Sequence, residues 1–142
     1  LSDRVERLQF EEEWLHITPT AGVDWKINDN VLAFAKTTWA FKPGGFSAYA
    51  DDPRFVPFEE ETAWITEAGL KSQWLDGRLT ANLTGFYNAV RNYQVERSFT
   101  VTDYAVFNAD RAEIYGAEFE TAIALLPQLD FLGSIGWTHA RL

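Results

Sequence analysis

A chain of 142 residues is long enough for one domain, and the absence of cysteine excludes a disulfide scaffold and any thiolate metal or redox centre. Acidic residues outnumber basic ones by 21 to 12, for a net charge of -9, which argues against nucleic acid as a partner because such a face needs surplus Lys and Arg. Fully apolar runs stop at five residues, as in Ala122–Leu126, against the roughly 18 of a membrane helix, so contact with a bilayer would have to be made by strands.

The opening stretch Asp3–Glu13 is densely charged and fits either a short helix or a polar loop. From Leu15 the pattern takes period two, which marks a strand with one wet side. Leu15, Ile17, Ala21, Val23, Trp25 and Ile27 oppose His16, Thr18, Thr20, Asp24 and Lys26. After the tight turn Asn28-Asp29-Asn30, a second strand sets Val31, Ala33, Ala35, Thr37 and Trp39 against Leu32, Phe34, Lys36 and Thr38. A long link follows, from Lys42 to Glu61, bearing Pro, Gly and acidic residues. A third strand then opposes Trp64, Thr66, Ala68, Leu70 and Trp74 to Ile65, Glu67, Lys71 and Gln73, and ends in the turn Asp76-Gly77. The fourth has the clearest alternation: Leu79, Ala81, Leu83, Gly85, Tyr87 and Ala89 against Thr80, Asn82, Thr84, Phe86 and Asn88. A second long link is expected from Tyr93 to Asn108. The fifth strand places Glu118 and Glu120 opposite Tyr115, Ala117, Phe119, Thr121 and Ile123; the turn Leu126-Pro127-Gln128 leads to a sixth around Phe131, Ile135 and Trp137.

Connections that run short, long, short, long, short are the wiring of an up-and-down membrane barrel, with tight periplasmic turns and long outer loops. The tryptophans supply a test of length. Trp64 and Trp74 share one phase, ten residues apart. At about 3.3 Å per residue and a tilt of roughly 40°, they stand about 25 Å apart along the membrane normal, the height of the apolar band between two aromatic girdles. Trp25 falls beside Trp74 in depth and Trp39 beside Trp64, so these four are assigned to the girdles. The competing reading makes them ordinary sheet-core aromatics. On the opposite phase, Lys36, Glu67, Lys71, Asn82, Glu118 and Glu120 are expected to face a wet lumen.

Several stretches also resemble a known family. The run Val23-Asp24-Trp25-Lys26-Ile27-Asn28-Asp29-Asn30-Val31-Leu32-Ala33-Phe34-Ala35 leads into Phe41-Lys42-Pro43-Gly44-Gly45-Phe46. Further on come Glu67-Ala68-Gly69-Leu70-Lys71-Ser72, Asp76-Gly77-Arg78-Leu79, Asn108-Ala109 and Tyr115-Gly116-Ala117-Glu118-Phe119-Glu120. In this order they resemble passages in the barrels of TonB-dependent receptors, with Trp39-Ala40 departing from the Arg-Gly more usual before Phe-Lys. The resemblance implies an all-β, antiparallel barrel of about 22 strands filled by an N-terminal plug, of which residues 1–142 would supply about six strands. It further implies the outer membrane of a Gram-negative bacterium, and import of a scarce nutrient complex such as a ferric siderophore, haem or cobalamin. The implied partners are outer-membrane lipid, the plug, TonB and the nutrient ligand. No plug, TonB box or terminal aromatic is found, and no methionine or leader pattern opens the chain, so it is expected to be a slice of a longer barrel.

Catalytic and metal chemistry find little support. His16 and His139 fall on different expected strands without ligand spacing, so each is expected to be a hydrogen-bonded residue of the wall. Glu118 and Glu120 share a face, but spacing alone supplies no raised pKa for acid catalysis. Asp51, Asp52 and Glu59-Glu60-Glu61 read as a solvated loop in preference to a weak cation site. Gly44-Gly45 lacks the Gly-Lys-Ser/Thr ending of a phosphate loop, and Asn82-Leu83-Thr84 lies mid-strand, where glycosylation is not expected. The chain is accordingly expected to be no enzyme, to bind no metal in these residues and to need no cofactor. Ligand contact is assigned to Phe46 and Tyr49 in the first long link and Tyr93, Gln94 and Arg97 in the second, whose rings and long polar side chains suit a bulky ligand. Two alternatives stand beside this reading: a soluble, aromatic-rich β-sandwich that binds carbohydrate, and an outer-membrane enzyme barrel, for which no Ser, His and acid converge.

Overall fold

The computed structural model describes residues 11–48, 50, 52, 54, 56–100 and 104–142. Eight strands follow in chain order: β1 Thr20–Asn28, β2 Val31–Lys42, β3 Gly45–Phe46, β4 Pro57–Phe58, β5 Glu61–Trp74, β6 Leu79–Ser98, β7 Tyr104–Leu126 and β8 Leu129–Arg141. Six of them form one antiparallel meander in the order β1-β2-β5-β6-β7-β8, and β3 and β4 pair as a short hairpin within the first long link. A sandwich needs two sheets packed face to face. Among the described residues only the two-stranded β3–β4 ladder accompanies the main sheet, so the carbohydrate-binding sandwich is set aside.

Register carries the period-two pattern across the whole sheet. Trp39 pairs with Trp64 and Trp64 with Ala89; Leu70 pairs with Leu83 and Leu83 with Phe119. On the other phase Lys36 pairs with Glu67, Lys71 with Asn82, and Asn82 with Glu120. Each side-chain row is therefore apolar or polar from strand to strand, because a slip of one residue would invert a whole strand. The apolar rows are not buried. Val23, Trp25, Trp64, Leu70, Leu83, Ile135 and Trp137 are all exposed, and Val90, Ala105 and Ala112 are the only buried hydrophobic residues among those described. A water-soluble sheet hides such a face in a core, whereas a barrel wall turns it to lipid.

Tight turns fall where expected. In the β1–β2 turn the Asn28 side-chain oxygen accepts the Asn30 amide at 2.9 Å. The β5–β6 turn places Leu75, Asp76 and Gly77 at positive φ. Two boundaries differ from the sequence reading. β1 begins at Thr20 instead of Leu15, after Pro19, which has no amide to donate to the ladder and whose carbonyl accepts from Trp39 N at 3.0 Å. His16 thus precedes the strand. The expected loop from Tyr93 to Asn108 is mostly ladder: β6 runs to Ser98 and β7 starts at Tyr104, with Gln94 opposite Asn108 and Val95 opposite Phe107. Alternation fades there, although the backbone pairing continues.

Two glycines on the polar phase let neighbouring strands approach closely. Gly69 lies opposite Phe34, and Gly116 opposite Phe86. A Cβ at Gly69 would come within 2.9 Å of the Phe34 ring, and one at Gly116 within 2.7 Å of the Phe86 ring. In both pairs the ring occupies the space above a residue that has no side chain of its own.

Candidate functional site

The polar face brings together most of the residues assigned to it from sequence. Lys36 Nζ lies 3.2 Å from Glu67 Oε2, and Lys71 Nζ stands 5.2 Å from the centre of the Phe34 ring. These side chains, with Asp24 and Thr84, line a recess of about 490 Å³. Glu120 and Asn82 line a second recess with Thr80 and Ser134. Glu118 stands one pair further along, opposite Thr84 and Gly136. The side-chain oxygen of Asn88, on the same phase, is buried with no hydrogen-bond partner among the described residues. Such an arrangement can hold water or receive polar groups from another surface; no acid, base and nucleophile are assembled in it.

At the outer end, side-chain hydrogen bonds tie the first long link to the β6–β7 hairpin. Gln94 Nε2 donates to the carbonyls of Pro43 at 2.9 Å and Glu59 at 3.1 Å, and the Gln94 amide donates to Glu61 Oε2 at 2.8 Å. Asn108 accepts the Glu59 amide at 2.8 Å and returns Nδ2 to the carbonyls of Glu59 and Asn92 at 2.9 and 2.8 Å. The Ser47 hydroxyl accepts the Val106 amide at 3.0 Å. Gln94 is therefore a fastener of the loop, and its amide nitrogen is already engaged. Tyr93 and Arg97 fall on the alternate phase of the same strand, with Arg97 stacked 5.4 Å over Phe99. Phe46 lies in β3, paired with Pro57. Tyr49 lies outside the described residues. Of the four described residues assigned to ligand contact, Gln94 thus falls on one phase of β6, Tyr93 and Arg97 on the other, and Phe46 in the β3–β4 hairpin.

The acidic residues of the first link are dispersed among separate partners. Asp52 holds the Arg54 guanidinium through contacts of 3.0, 3.0 and 2.5 Å; this hydrogen bonding, and the Arg54 amide at 3.0 Å, pull its carboxyl down to about 2. Glu59 accepts from Asn92, Glu60 lies 2.7 Å from His16, and Glu61 accepts from Gln94. Asp51 lies outside the described residues. His16, ahead of β1 instead of within a wall strand, also lies beside the Trp39 and Phe41 rings in tilted contacts, with centroids 5.3 and 4.6 Å away. No cluster of three metal-binding side chains occurs among the described residues.

One polar cluster was not anticipated. Glu113, on the apolar phase of β7, is only 6% exposed. It accepts Tyr87 Oη at 2.8 Å and Arg141 Nε at 2.6 Å, and it is paired with Arg111 as well. Tyr115, Trp137 and His139 pack beside it, with Tyr115 5.2 Å from His139 and 5.9 Å from Trp137. The signal was present in the sequence: Arg111 and Glu113 put charge into a row that is otherwise apolar from Tyr115 to Ile123.

Comparison with known proteins settles the class. The family model described as TonB dependent receptor-like, beta-barrel matches residues 3–141. The chain belongs to that family. Its six-stranded sheet is part of a TonB-dependent receptor barrel, in a family of transport receptors. A curated relative, the ferric-pyoverdine M114 receptor PbuA of Pseudomonas sp. strain M114, is 25% identical over 126 residues, which cover 89% of this chain and 15% of that receptor. Among solved structures, the siderophore receptor PirA of Pseudomonas aeruginosa matches with a TM-score of 0.69 at 20% identity, over 87% of this chain and 25% of that one. The outer-membrane receptor FpvA of Pseudomonas aeruginosa PAO1, bound to pyoverdine, gives 0.67 at 24% identity, over 87% and 19%. The alcaligin outer-membrane receptor FauA of Bordetella pertussis gives 0.60 at 23%, over 87% and 22%. The TonB-dependent barrels compared are thus several times longer than this chain.

Proposed function

We propose that this chain is a wall segment of an outer-membrane receptor that imports a ferric siderophore, or a nutrient complex of similar bulk, into a Gram-negative bacterium with energy from TonB. The observation that carries the reading is the inversion of the sheet: exposed apolar rows on one phase, and ion-paired polar rows on the other. In this reading the exposed Trp25, Trp64 and Trp74 and the half-buried Trp39 meet lipid at two interfacial depths. Lys36, Glu67, Lys71, Asn82, Glu118 and Glu120 line the lumen and touch water or the plug, and the unpaired Asn88 oxygen takes its partner there. The fastened outer loop and the long β6–β7 hairpin frame the ligand entrance, with Phe46, Tyr49, Tyr93 and Arg97 as contact residues and Gln94 as the residue that holds their scaffold.

Siderophores enter the proposal because the relatives are named for them: PbuA for ferric pyoverdine, and FauA for alcaligin. The test is uptake of radio-iron by an iron-starved strain lacking the parent receptor, with and without its full-length gene, across a panel of ferric siderophores. Restored uptake that is abolished by deleting TonB is the expected result. Restored uptake that persists without TonB would remove the energetic part of the proposal, and no restoration with any siderophore would remove the cargo.

A further inference from the structure

Basic side chains divide between the two faces of the sheet. Lys26, Lys36, Lys42 and Lys71 follow the polar phase, whereas Arg91, Arg111 and Arg141 follow the apolar phase and gather towards the outer end. Arg91 and Arg111 are direct partners across β6 and β7. Like charges placed opposite each other weaken a sheet, so the pair calls for a compensating anion. Glu113 offers only part of one, since its two oxygens are shared among Tyr87, Arg111 and Arg141. Arg91 has no ion-pair partner among the described residues.

The same phase supplies a place for that anion. Trp39, Thr62, Trp64, Ala89, Arg91 and Arg111 line a recess of about 250 Å³. Ala89 lies directly across from Trp64, and its small side chain leaves the space between the indole and the guanidiniums. Below the recess the phase continues through Tyr87, Leu83 and Phe119, which are exposed apolar side chains. Above the apolar band, an outward arginine costs little, about 0–1 kcal/mol near the interface against roughly 2–4 at the midplane. Arginine forms bidentate bonds to phosphate where lysine acts as a point charge.

We propose that this recess binds the phosphorylated headgroup of an outer-leaflet glycolipid, with phosphate between Arg91 and Arg111, a sugar face over Trp64 and acyl chains along the Tyr87 and Leu83 rows. The choice of a lipid over free phosphate follows from that continuity of charged recess and exposed apolar rows. All four contributing strands have both sheet neighbours within this chain, so another strand of the barrel does not cover the recess. The inference rests on the apolar face meeting lipid and is independent of which nutrient is carried.

The test uses the full-length receptor in detergent and native mass spectrometry. It is titrated with lipid A, with enzymatically dephosphorylated lipid A, and with inorganic phosphate as competitor. Wild type should bind the phosphorylated lipid at least tenfold more tightly than the dephosphorylated one, and millimolar phosphate should not displace it. The double variant Arg91→Gln/Arg111→Gln should lose at least tenfold for the phosphorylated lipid alone, while Lys26→Gln on the opposite phase binds as wild type. Equal binding of the two lipids by wild type would overturn the proposal, as would displacement by phosphate at concentrations equal to the lipid. The wild-type comparison decides the matter even if the double variant does not fold. A spin label at Leu83 separates the two ideas: oxygen accessibility there without phosphate-dependent lipid binding keeps the membrane face and removes the recess.

Discussion

Replacing Gly116 by alanine adds one methyl group to a strand pair that has no room for it. The new Cβ would meet the Trp137 carbonyl oxygen well inside contact distance and the Phe86 ring at 2.7 Å. The ring can swing aside, but the carbonyl belongs to the β7–β8 ladder and moves only if that ladder gives. Overpacking of this kind costs about 1–3 kcal/mol, roughly 5- to 150-fold in the folding equilibrium. Gly85, one strand away on the opposite phase, is the control. Its Cβ would have its nearest neighbours at 3.8 and 3.9 Å, and removing a strand glycine gains about 0.5–1 kcal/mol. The two variants should therefore differ by about 1.5–4 kcal/mol, although each adds the same methyl. Urea unfolding of the full-length barrel in detergent, followed by tryptophan emission, reads the difference as opposite shifts in midpoint. If Gly116→Ala proved as stable as Gly85→Ala, close approach at Gly116 would not be a constraint on this wall.

Leu75 has φ 56 in the β5–β6 turn and is 63% exposed, so Leu75→Gly should raise the thermal unfolding midpoint by removing about 1 kcal/mol of left-handed strain with little lost burial; a lower midpoint would refute the strain. Gln94→Ala removes the bonds to Pro43 and Glu59, worth about 1 kcal/mol in sum at this exposed position, and should speed hydrogen exchange severalfold across 43–60 while leaving β5 unchanged. The Asp52 carboxyl is lowered from 3.8 to about 2, so its clasp on Arg54 is complete above 3.8 and is lost as pH falls through about 2; hydrogen-exchange protection factors at residues 52–56, corrected for the base catalysis of exchange itself, should be the same at pH 8 and pH 5. Spin labels at Leu83 and Asn82 in the bilayer-embedded parent should report oxygen access at the first and access to a water-soluble relaxation agent at the second, and matching watery signals at both would refute the assignment of faces.

The sheet was legible in sequence wherever its two faces have different solvents. Leu79 to Ala89 could be read residue by residue because an apolar row on one side and a polar row on the other alternate strictly. Beyond Val90 the strict alternation ends: Val95 and Phe107 still pair, but polar and apolar residues mix on both phases, so sequence alone suggests a loop where a ladder continues. The two-residue strands β3 and β4 are too short for any period. Site residues were legible to a similar degree. Lys36 and Glu67 were assigned to one face, and they form an ion pair; the pairing of Glu113 with Tyr87 and Arg141 depended on three strands coming into register, which spacing along one strand does not reveal. Gln94 was singled out for its long polar side chain, and the same property makes it a fastener when two carbonyls lie within reach.

The outer end of this wall is held together differently from the spanning part. In the proposed membrane setting the spanning part needs only its ladder and the exclusion of water, since lipid offers backbone groups no competing partner. Beyond it, in the same setting, water competes for each bond, and among the described residues Ala105 is the one buried apolar side chain past Arg91 and Arg111 on the β6–β7 hairpin. The structure answers with side-chain bonds that cross between elements: Gln94 and Asn108 reach the Glu59 carbonyl, and Ser47 reaches Val106. These bonds couple the first long link to the hairpin, so a ligand that displaces one would disturb the other. If nutrient binding moves the outer loops of the parent receptor, residues 43–60 and the β6–β7 tip should therefore change their protection together, and independent responses would show that the fasteners are not the coupling.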